Sequence, residues 1–367
     1  MTAVASACIG LITGFLIGFA VRRARLCTFG AVEDAIEGHD FRRLKIFGLS
    51  LAVALLGTQG LIAAGYLNPA ETSYLPMRSA ILSIALGSVM FGLGMALVGT
   101  CAFGSLIRLG GGDLRALLVM LIFALSAFAT LRGALAPLRI EFVEKISVAM
   151  PGGNQAGFIQ ILDGLSGLNL GPVVSAIIAG LLCLAVVRDR RLHKARRLLL
   201  AGLLLGLGVI AGWVATAVLA DEFEPLRVQS LTFVAPVARG LFSVLLGTAE
   251  WLDFGTMAGL GVALGAFASA LVAREFRWEA FDDHHEMKRH IAGAVLMGIG
   301  GILAGGCTIG QGLTAGSLLA VSFPIALLGI FIGARIGITI LLEGSPGLAL
   351  SRLRHTLGNI QLPWSRR

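Results

Sequence analysis

The sequence contains few charged residues for its length. Asp, Glu, Lys and Arg make up 14% of its 367 residues, whereas a typical soluble domain carries about 25%. Its mean hydropathy is +0.88, and apolar stretches of about 18 residues or more recur along the whole chain. This scarcity of charge argues against a soluble domain and predicts an all-α membrane protein with many spans.

Paired cysteines are also absent, because the five cysteines contain no Cys-x-x-Cys spacing. A zinc site usually needs four clustered ligands and a thiol oxidoreductase needs a cysteine pair, so we expect neither a metal nor a cofactor. A structural disulfide stays open, because the sequence does not show which cysteines touch. A nucleotide-binding loop is missing, and the predicted spans lack a relay of Asp, Glu and His side chains, which argues against ATP coupling and proton symport.

The apolar runs predict nine membrane spans. They cover residues 3–21, 46–67, 79–98, 114–136, 171–187, 198–220, 256–273, 291–305 and 318–342. Residues 235–250 are apolar but short, and we expect them to dip into the membrane and return. Residues 103–113 and 308–317 are rich in glycine, and we expect broken, re-entrant segments rather than simple helices.

The basic residues favour one orientation of these spans. The segments on one side carry 22 Lys and Arg residues, and those on the other side carry 6. Basic residues concentrate in cytoplasmic loops, so we expect the N-terminus outside and the C-terminus in the cytoplasm. These loops also account for the net charge of +8, and nucleic acid is not an expected partner.

A glycine-rich stretch that contains a cysteine occurs twice in the chain. Residues 92–104 align with residues 298–310 after a shift of 206, and six of the 13 paired positions are identical. The predicted topology runs the first copy inward and the second outward, which is the signature of an inverted repeat. We therefore expect one membrane domain built from two halves, residues 1–190 with five spans and residues 191–367 with four.

Three of the five cysteines share a local pattern. Each has a threonine beside it and a glycine three residues later. The cysteine–glycine pairs are Cys27/Gly30, Cys101/Gly104 and Cys307/Gly310. Cys27 and Cys101 belong to the first predicted half and Cys307, which aligns with Cys101, belongs to the second. Cys8 and Cys183 lie within apolar runs without such flanks, and we interpret them as packing residues.

The residues around these three cysteines resemble the cysteine signatures of the YeeE/YedE sulfur-transport family. The matching segments are residues 25–31, 99–113 and 305–312. The resemblance covers nearly the whole chain and implies a thiosulfate-uptake protein of the bacterial inner membrane, with loops that dip to the middle of an hourglass. It also implies that Cys27, Cys101 and Cys307 contact the substrate. Some members are associated with selenium or other sulfur compounds, so the exact anion stays open.

The chemistry of three neutral thiols fits the passage of a soft anion. A thiol is a weak, polarizable donor, and repeated weak sites allow an ion both to enter and to leave. Gly30, Gly104 and Gly310 allow backbone N–H groups to approach the anion closely. We expect the thiols to act as transient donors that stay protonated. Gln311 is a further candidate donor.

Three arginines are weaker candidates for contact with the anion. Arg25 and Arg108 either attract anions or anchor the inner membrane interface. Arg335 lies inside an apolar run, where a basic residue is a functional candidate, although snorkelling or pairing with Glu343 explains it equally well.

The cysteine pattern also leaves other classes of function open. A membrane sulfurtransferase that relays sulfur through a persulfide needs a low-pKa cysteine near a cation, and Cys27 beside Arg25 is the candidate. A channel for a neutral solute, or a membrane scaffold, would make the thiols incidental. We favour a transporter rather than an enzyme. Its expected partners are a sulfur anion, the lipid bilayer and a cytoplasmic sulfurtransferase that consumes the anion at the basic inner face.

Overall fold

The structure is a computed structural model that describes most of the chain. It describes residues 2–76, 78–145, 148–149, 156–166, 171–219, 227–248, 252–281 and 283–343. The predicted cytoplasmic tail after residue 343 lies outside the described residues. Within them, strand structure is limited to a two-residue antiparallel pairing of Arg78–Ser79 with Val148–Ala149.

The described residues are mainly α-helical. The α-helices are α1 (Thr2–Ala24), α2 (Thr28–Ile36), α3 (Arg42–Ala63), α4 (Ile81–Val98), α5 (Ala102–Gly110), α6 (Leu114–Leu131), α7 (Ala136–Leu138), α8 (Phe158–Ser166), α9 (Gly171–Val187), α10 (Arg190–His193), α11 (Arg196–Trp213), α12 (Ala235–Leu246), α13 (Phe254–Ala273), α14 (His284–Leu303) and α15 (Ser322–Glu343). The chain also forms a 3₁₀ turn at Pro69–Glu71 and π-helical turns at Arg139–Glu144, Val214–Val218 and Gly310–Ala315.

Seven helical segments among the described residues are long and apolar enough to cross a membrane. They contain α1, α3, α4, α6, α11, α13 and α15. The other two predicted spans coincide with α9, which has 17 residues, and with α14, whose first turns are charged. The prediction of an all-α, multi-pass membrane protein is confirmed. α12 has 12 residues, too few for a bilayer core of about 30 Å.

The prediction that residues 103–113 are too broken for a helix is wrong. Ala102–Gly110 is the regular helix α5, and residues 308–317 are helical as well. The glycines there allow close packing instead of breaking the helix. A methyl group at Gly110, for example, would strike the carbonyl oxygen of Ala263 in α13.

α4 and α14 contact each other closely and run antiparallel. A methyl group at Gly94 would lie 2.5 Å from the carbonyl oxygen of Gly293, and one at Gly87 would lie 2.7 Å from that of Gly300. The residue numbers fall along α14 as they rise along α4. Backbones approach this closely only where no side chain intervenes. The two duplicated segments therefore pack directly against each other.

Each of these two helices also packs against the next long helix after the other's cysteine, α15 for α4 and α6 for α14. Gly92 of α4 faces the carbonyl oxygen of Ile330 in α15, and a methyl group at Gly298 of α14 would lie 2.7 Å from the carbonyl oxygen of Phe123 in α6. Gly92 and Gly298 are equivalent positions in the duplicated sequence. Elsewhere, α1 packs on α13 and α3 packs on α11.

A surface ion pair joins α3 to the start of α10. Lys45 Nζ lies 2.7 Å from Asp189 Oδ2. The hydrogen bond from Lys45 holds the pKa of the Asp189 carboxyl below its ordinary value. Asp189 also accepts a hydrogen bond from the backbone N–H of Arg191, so the junction between the two predicted halves is fixed to α3.

Candidate functional site

Each of the three predicted cysteines lies between a long helix and a short one. Cys27 separates α1 from α2, and Cys101 separates α4 from α5. Cys307 follows α14 and precedes the short helical stretch 308–317. Residues 25–28, 99–101 and 305–308 are called the cysteine loops below. Because the first N–H groups of a helix have no partner within the helix, each loop brings free donors beside a thiol.

The backbone is left-handed two residues before each cysteine. The φ angle is 51° at Arg25, 76° at Gly99 and 75° at Gly305. A left-handed residue ends the preceding helix and turns the chain, and glycine adopts it at little cost. Arg25 carries a side chain, so the same turn costs about 1–2 kcal/mol there.

The sulfur atoms of two cysteines cap the short helices that follow them. The backbone N–H of Gly104 donates to Cys101 Sγ at 3.3 Å, and that of Gly310 donates to Cys307 Sγ at 3.4 Å. These bonds use each sulfur as an acceptor, so the S–H proton of each thiol stays available to another group.

The glycine three residues after each cysteine lies in a crowded position. A methyl group at Gly104 would strike Thr100 Oγ1, and one at Gly310 would lie 2.6 Å from Thr232 Oγ1. At Gly30 the crowding group is the end of a flexible side chain, Arg43 Nη1, at 2.8 Å. The absence of a side chain thus lets hydroxyl groups approach the loops at Gly104 and Gly310.

Threonine hydroxyls join the three cysteine loops. Thr28 Oγ1 donates to Cys101 Sγ at 2.7 Å, and Thr308 Oγ1 donates to Thr28 Oγ1 at 3.5 Å. Cys27 Sγ lies 3.9 Å from Thr100 Oγ1. Thr28 therefore touches both other loops. The structure brings the loops of Cys27, Cys101 and Cys307 into one polar cluster, in which Thr308 makes the contact for the Cys307 loop.

The three clustered thiols are more buried than a surface site would be. Cys101 and Cys307 are 0% exposed, and Cys27 is half-buried. Cys8 is exposed on α1, and Cys183 is half-buried on α9. All five are free thiols, so the structural disulfide left open by the sequence is not formed.

A cavity of about 440 Å³ reaches the Cys307 loop, and we call it the Tyr74 cavity. Its polar lining includes Tyr74, Ser83, Gly305 and Gln311. Gln311 Nε2 donates to the carbonyl oxygen of Ala304 at 2.7 Å, while its buried Oε1 has no hydrogen-bond partner. Gln311, the predicted donor, thus lies at the wall of this cavity, but its unpartnered atom is the acceptor Oε1, while its donor Nε2 bonds Ala304.

A second cavity, of about 230 Å³, reaches the Cys101 loop, and we call it the basic cavity. Its lining comprises Val98, Gly99, Thr100, Ser105, Arg108, Asp113, Arg115, Ala116, Val119, Glu286, Arg289 and His290. Arg108, one of the weaker candidates, donates to the carbonyl oxygen of Gly99 at 2.9 Å. This arginine therefore lies directly beside the Cys101 loop.

The two cavities lie at opposite ends of α4. Ser83 near its start lines the Tyr74 cavity, and Val98 at its end lines the basic cavity. Fifteen residues of helix separate these positions by about 22 Å, at 1.5 Å per residue. Thr100 lines the basic cavity and Gly305 lines the Tyr74 cavity, so the cysteine loops lie between the two cavities and border both.

The side chains of the other two arginine candidates form no hydrogen bond or ion pair with a thiol among the described residues. Arg25 Nη2 lies 3.2 Å from Glu275 Oε1, and its side chain is 80% exposed. Arg335 is half-buried in α15, and no hydrogen bond or ion pair joins its side chain to the described cysteine loops. The side chain of Glu343, the suggested partner of Arg335, lies outside the described residues.

Sequence reasoning missed a fourth loop that approaches the same cluster. Thr232 lies beside Gly310, and Phe233 lies 5.1 Å from Phe103 between ring centroids. The sequence contains only a weak indication of this loop. Leu231-Thr-Phe resembles Cys27-Thr-Phe, 204 residues earlier, but has leucine in place of cysteine. A search for cysteines alone does not find this loop, which has the threonine hydroxyl of the other loops but no thiol.

The described residues contain one group with the composition of a metal site. Asp283, His284 and His285 place ligand atoms within 4.8 Å of one another at the exposed start of α14. This group is separate from the cysteine loops, and exposed acidic clusters of this kind are common without a metal.

Comparison with known proteins agrees with the geometry. A family profile described as Sulphur transport matches residues 23–336. The thiosulfate transporter TsuA of Escherichia coli is 27% identical over 336 residues, covering 88% of this chain and 91% of the relative. The thiosulfate transporter TsuA of Spirochaeta thermophila is 27% identical over 353 residues, covering 88% of this chain and 96% of the relative. The chain therefore belongs to the sulphur transport family, YeeE/YedE, of membrane transporters.

Proposed function

We propose that this protein takes up thiosulfate, or a closely related inorganic sulfur anion, across the bacterial inner membrane. The main support is the polar cluster of the Cys27, Cys101 and Cys307 loops, which threonine hydroxyls join and which lies between two cavities. The similarity to proteins named thiosulfate transporters favours this anion. With Cys101 and Cys307 fully buried, the structure corresponds to a closed path.

In this proposal the anion passes from the Tyr74 cavity through the cysteine loops to the basic cavity. Cys27, Cys101 and Cys307 act as transient S–H donors, and Gln311 donates at the entrance. The glycines Gly30, Gly104 and Gly310 keep the helix N-termini accessible to the oxygens of the anion. Several weak donors, rather than one fixed cation, permit release as well as binding.

We also propose that the domain consists of two inverted halves, residues 1–190 and 191–367. The antiparallel contact of Gly87 with Gly300 has a counterpart in that of Gly94 with Gly293. In the duplicated sequence Gly87 is equivalent to Gly293 and Gly94 is equivalent to Gly300, each 206 residues later. The two contacts therefore exchange under the repeat, as a pseudo-two-fold axis requires. The charge bias supports placing the N-terminus outside, the C-terminus inside and the basic cavity toward the cytoplasm.

A cytoplasmic sulfurtransferase at the basic face would complete the uptake. A dianion that moves inward against about 100 mV faces about 4.6 kcal/mol. Passive passage alone would leave thiosulfate outside, unless an enzyme consumes it at the inner mouth. Exposed basic residues on this side, including Arg108 and Arg289, offer an anionic partner a docking surface.

The test is uptake of radiolabelled thiosulfate into liposomes that contain the purified protein. We expect uptake above that of protein-free liposomes, inhibited by excess unlabelled thiosulfate more strongly than by sulfate. Sulfate lacks the soft terminal sulfur and serves as the matched competitor. Equal inhibition by the two anions would contradict a thiol-lined path, and uptake equal to that of empty liposomes would refute the proposed function.

A further inference from the structure

Three arginines and two carboxylates line the basic cavity. Arg115 bonds Asp113 at 3.0 Å, approaches Glu286 at 3.5 Å and also pairs with Glu279, so these four groups form one ion-pair cluster. Arg108 and Arg289 form no ion pair with a described carboxylate, and both are exposed at the mouth. Two arginines are therefore available to an anion that enters from the adjoining solution.

Two buried polar atoms at the wall of this cavity have no hydrogen-bond partner. They are Ser105 Oγ and His290 Nδ1. Ser105 is 0% exposed and His290 is 6% exposed. A buried polar group without a partner costs about 1–3 kcal/mol, so two of them on one cavity indicate a place for a ligand. Ser105 lies on α5 and His290 on α14, and both line the cavity together with Thr100.

The hydrogen bonding of His290 fixes which ring nitrogen carries the proton. Nε2 lies 3.0 Å from the carbonyl oxygen of Val98, and a carbonyl only accepts, so Nε2 is the donor. In the neutral ring Nδ1 is then an unprotonated acceptor. It lies 4.0 Å from Glu286 Oε1, beyond hydrogen-bond distance. Nδ1 is able to donate to an anion only after it takes up a proton.

Charged groups of both signs face this imidazole. Glu286 and Arg289 belong to its own helix, Asp113 and Arg115 come from the start of α6, and Arg108 comes from α5. The ring of Phe281 packs on the other side, 5.3 Å away between centroids. Burial and the neighbouring arginines oppose a positive charge on His290, and an anion beside the ring would favour that charge.

We propose that the basic cavity is a binding site for an inorganic sulfur oxyanion and that His290 takes up one proton as the anion binds. The proton comes from the adjoining solution and binds Nδ1, which then donates to an oxygen of the anion. Ser105 Oγ–H is the second donor, and Arg108 and Arg289 balance the remaining charge. Thr100 lines the cavity and contacts Cys27, so an anion that leaves the cysteine loops toward the cytoplasm reaches this site next. The choice of a sulfur oxyanion rests on the proposed function.

The experiment is calorimetric titration of the purified full-length protein with thiosulfate, repeated in two buffers of different ionisation enthalpy. The difference between the buffers gives the number of protons taken up per anion. Above the ordinary histidine pKa of about 6.5, we expect uptake approaching one proton in the wild type. His290→Gln keeps a donor for the Val98 carbonyl but does not titrate, so proton uptake should disappear. His193→Gln is the matched control, because His193 also bonds a backbone carbonyl, that of Val187 at 2.8 Å, but is exposed.

Ser105→Ala tests the second donor separately from the proton. We expect about tenfold weaker binding with proton uptake retained. If this buried substitution impairs folding, Arg289→Gln at the exposed mouth should weaken binding by a similar factor. Anion binding by the wild type without proton uptake would overturn the proposal, as would no binding, or equal affinity in the folded variants. Binding with proton uptake by a protein that fails to transport would refute the proposed function and leave the site intact.

Discussion

Thr28 occupies the point at which the three cysteine loops meet. It donates to Cys101 Sγ and accepts from Thr308, while its neighbour Cys27 reaches Thr100. A hydroxyl both donates and accepts, so in the proposed path Thr28 passes the anion between the loops as its own bonds exchange. Its 7% exposure means that water does not readily replace these bonds.

We predict that Thr28→Val slows thiosulfate uptake about tenfold, because valine keeps the shape but removes a bond worth about 1–1.5 kcal/mol. Thr28→Ser keeps the hydroxyl and should retain most of the rate. Initial uptake rates in liposomes measure the effect. Thr339→Val on α15, where the hydroxyl bonds only the Arg335 carbonyl among described groups, is the control. Equal rates for Thr28→Val and the control would remove Thr28 from the path.

The sequence predicted the cysteines of the site better than their partners. The shared glycine spacing singled out Cys27, Cys101 and Cys307, and the structure brings these residues together. Thr232 and Tyr74 escaped notice, because a threonine or tyrosine in an apolar chain carries no distinctive spacing. Their place beside Gly310 depends on the folding of distant segments, which a local pattern does not encode.

At the scale of elements, the antiparallel pair of α4 and α14 sets the geometry of the cysteine loops. Cys101 and Cys307 follow the opposite ends of this pair, so the two cysteine loops reach the polar cluster from opposite directions. The contact relies on glycine at equivalent places in the duplicated sequence.

We predict that Gly94→Ala destabilises the protein by about 1–3 kcal/mol, the usual cost of overpacking. The new methyl group would lie 2.5 Å from the Gly293 carbonyl oxygen and 2.8 Å from Met297 N. Gly300→Ala should have a similar effect, since it lies in the equivalent contact with Gly87. Thermal unfolding in detergent is the measurement.

Gly60→Ala in α3 is the matched control for this substitution. A methyl group there meets nothing within 4 Å, and alanine should stabilise the helix by about 0.5–1 kcal/mol. If Gly94→Ala and Gly60→Ala have the same unfolding temperature, the close packing of α4 on α14 is not as described.

The helices themselves were predicted unevenly from the sequence. Long apolar runs such as Ile81–Val98 were recognised within a few residues of their true ends, because hydropathy dominates their behaviour. α5 was not recognised as a helix, because its glycines are typical of helix breaks. Only the packing of Gly110 against α13 shows that they serve close contact instead. α14 begins at His284, well before the predicted residue 291, because hydropathy marks the apolar part of a helix and not its hydrated turns.

At the scale of the whole molecule, the orientation in the membrane decides which cavity faces the substrate. We predict the N-terminus outside, which places the Tyr74 cavity outside and the basic cavity inside. Tyr66, which is 60% exposed, lies in the segment between α3 and α4 that also contains Tyr74. Trp278, which is 72% exposed, adjoins Glu279, the ion-pair partner of Arg115 in the basic cavity. A membrane-impermeant maleimide should label Tyr66→Cys in intact cells and Trp278→Cys only after permeabilisation. The opposite labelling pattern would reverse the proposed direction of uptake.

The most direct test of the thiol path is the rate of thiosulfate uptake by a variant with alanine at Cys27, Cys101 and Cys307. Each lost donor should cost about 1 kcal/mol, and three independent losses correspond to more than a hundredfold slower uptake. The matched control carries alanine at Cys8 and Cys183, which lie away from the loops, and should match the wild type. Wild-type uptake by the triple variant, at equal protein in the liposomes, would contradict the central role of the three thiols.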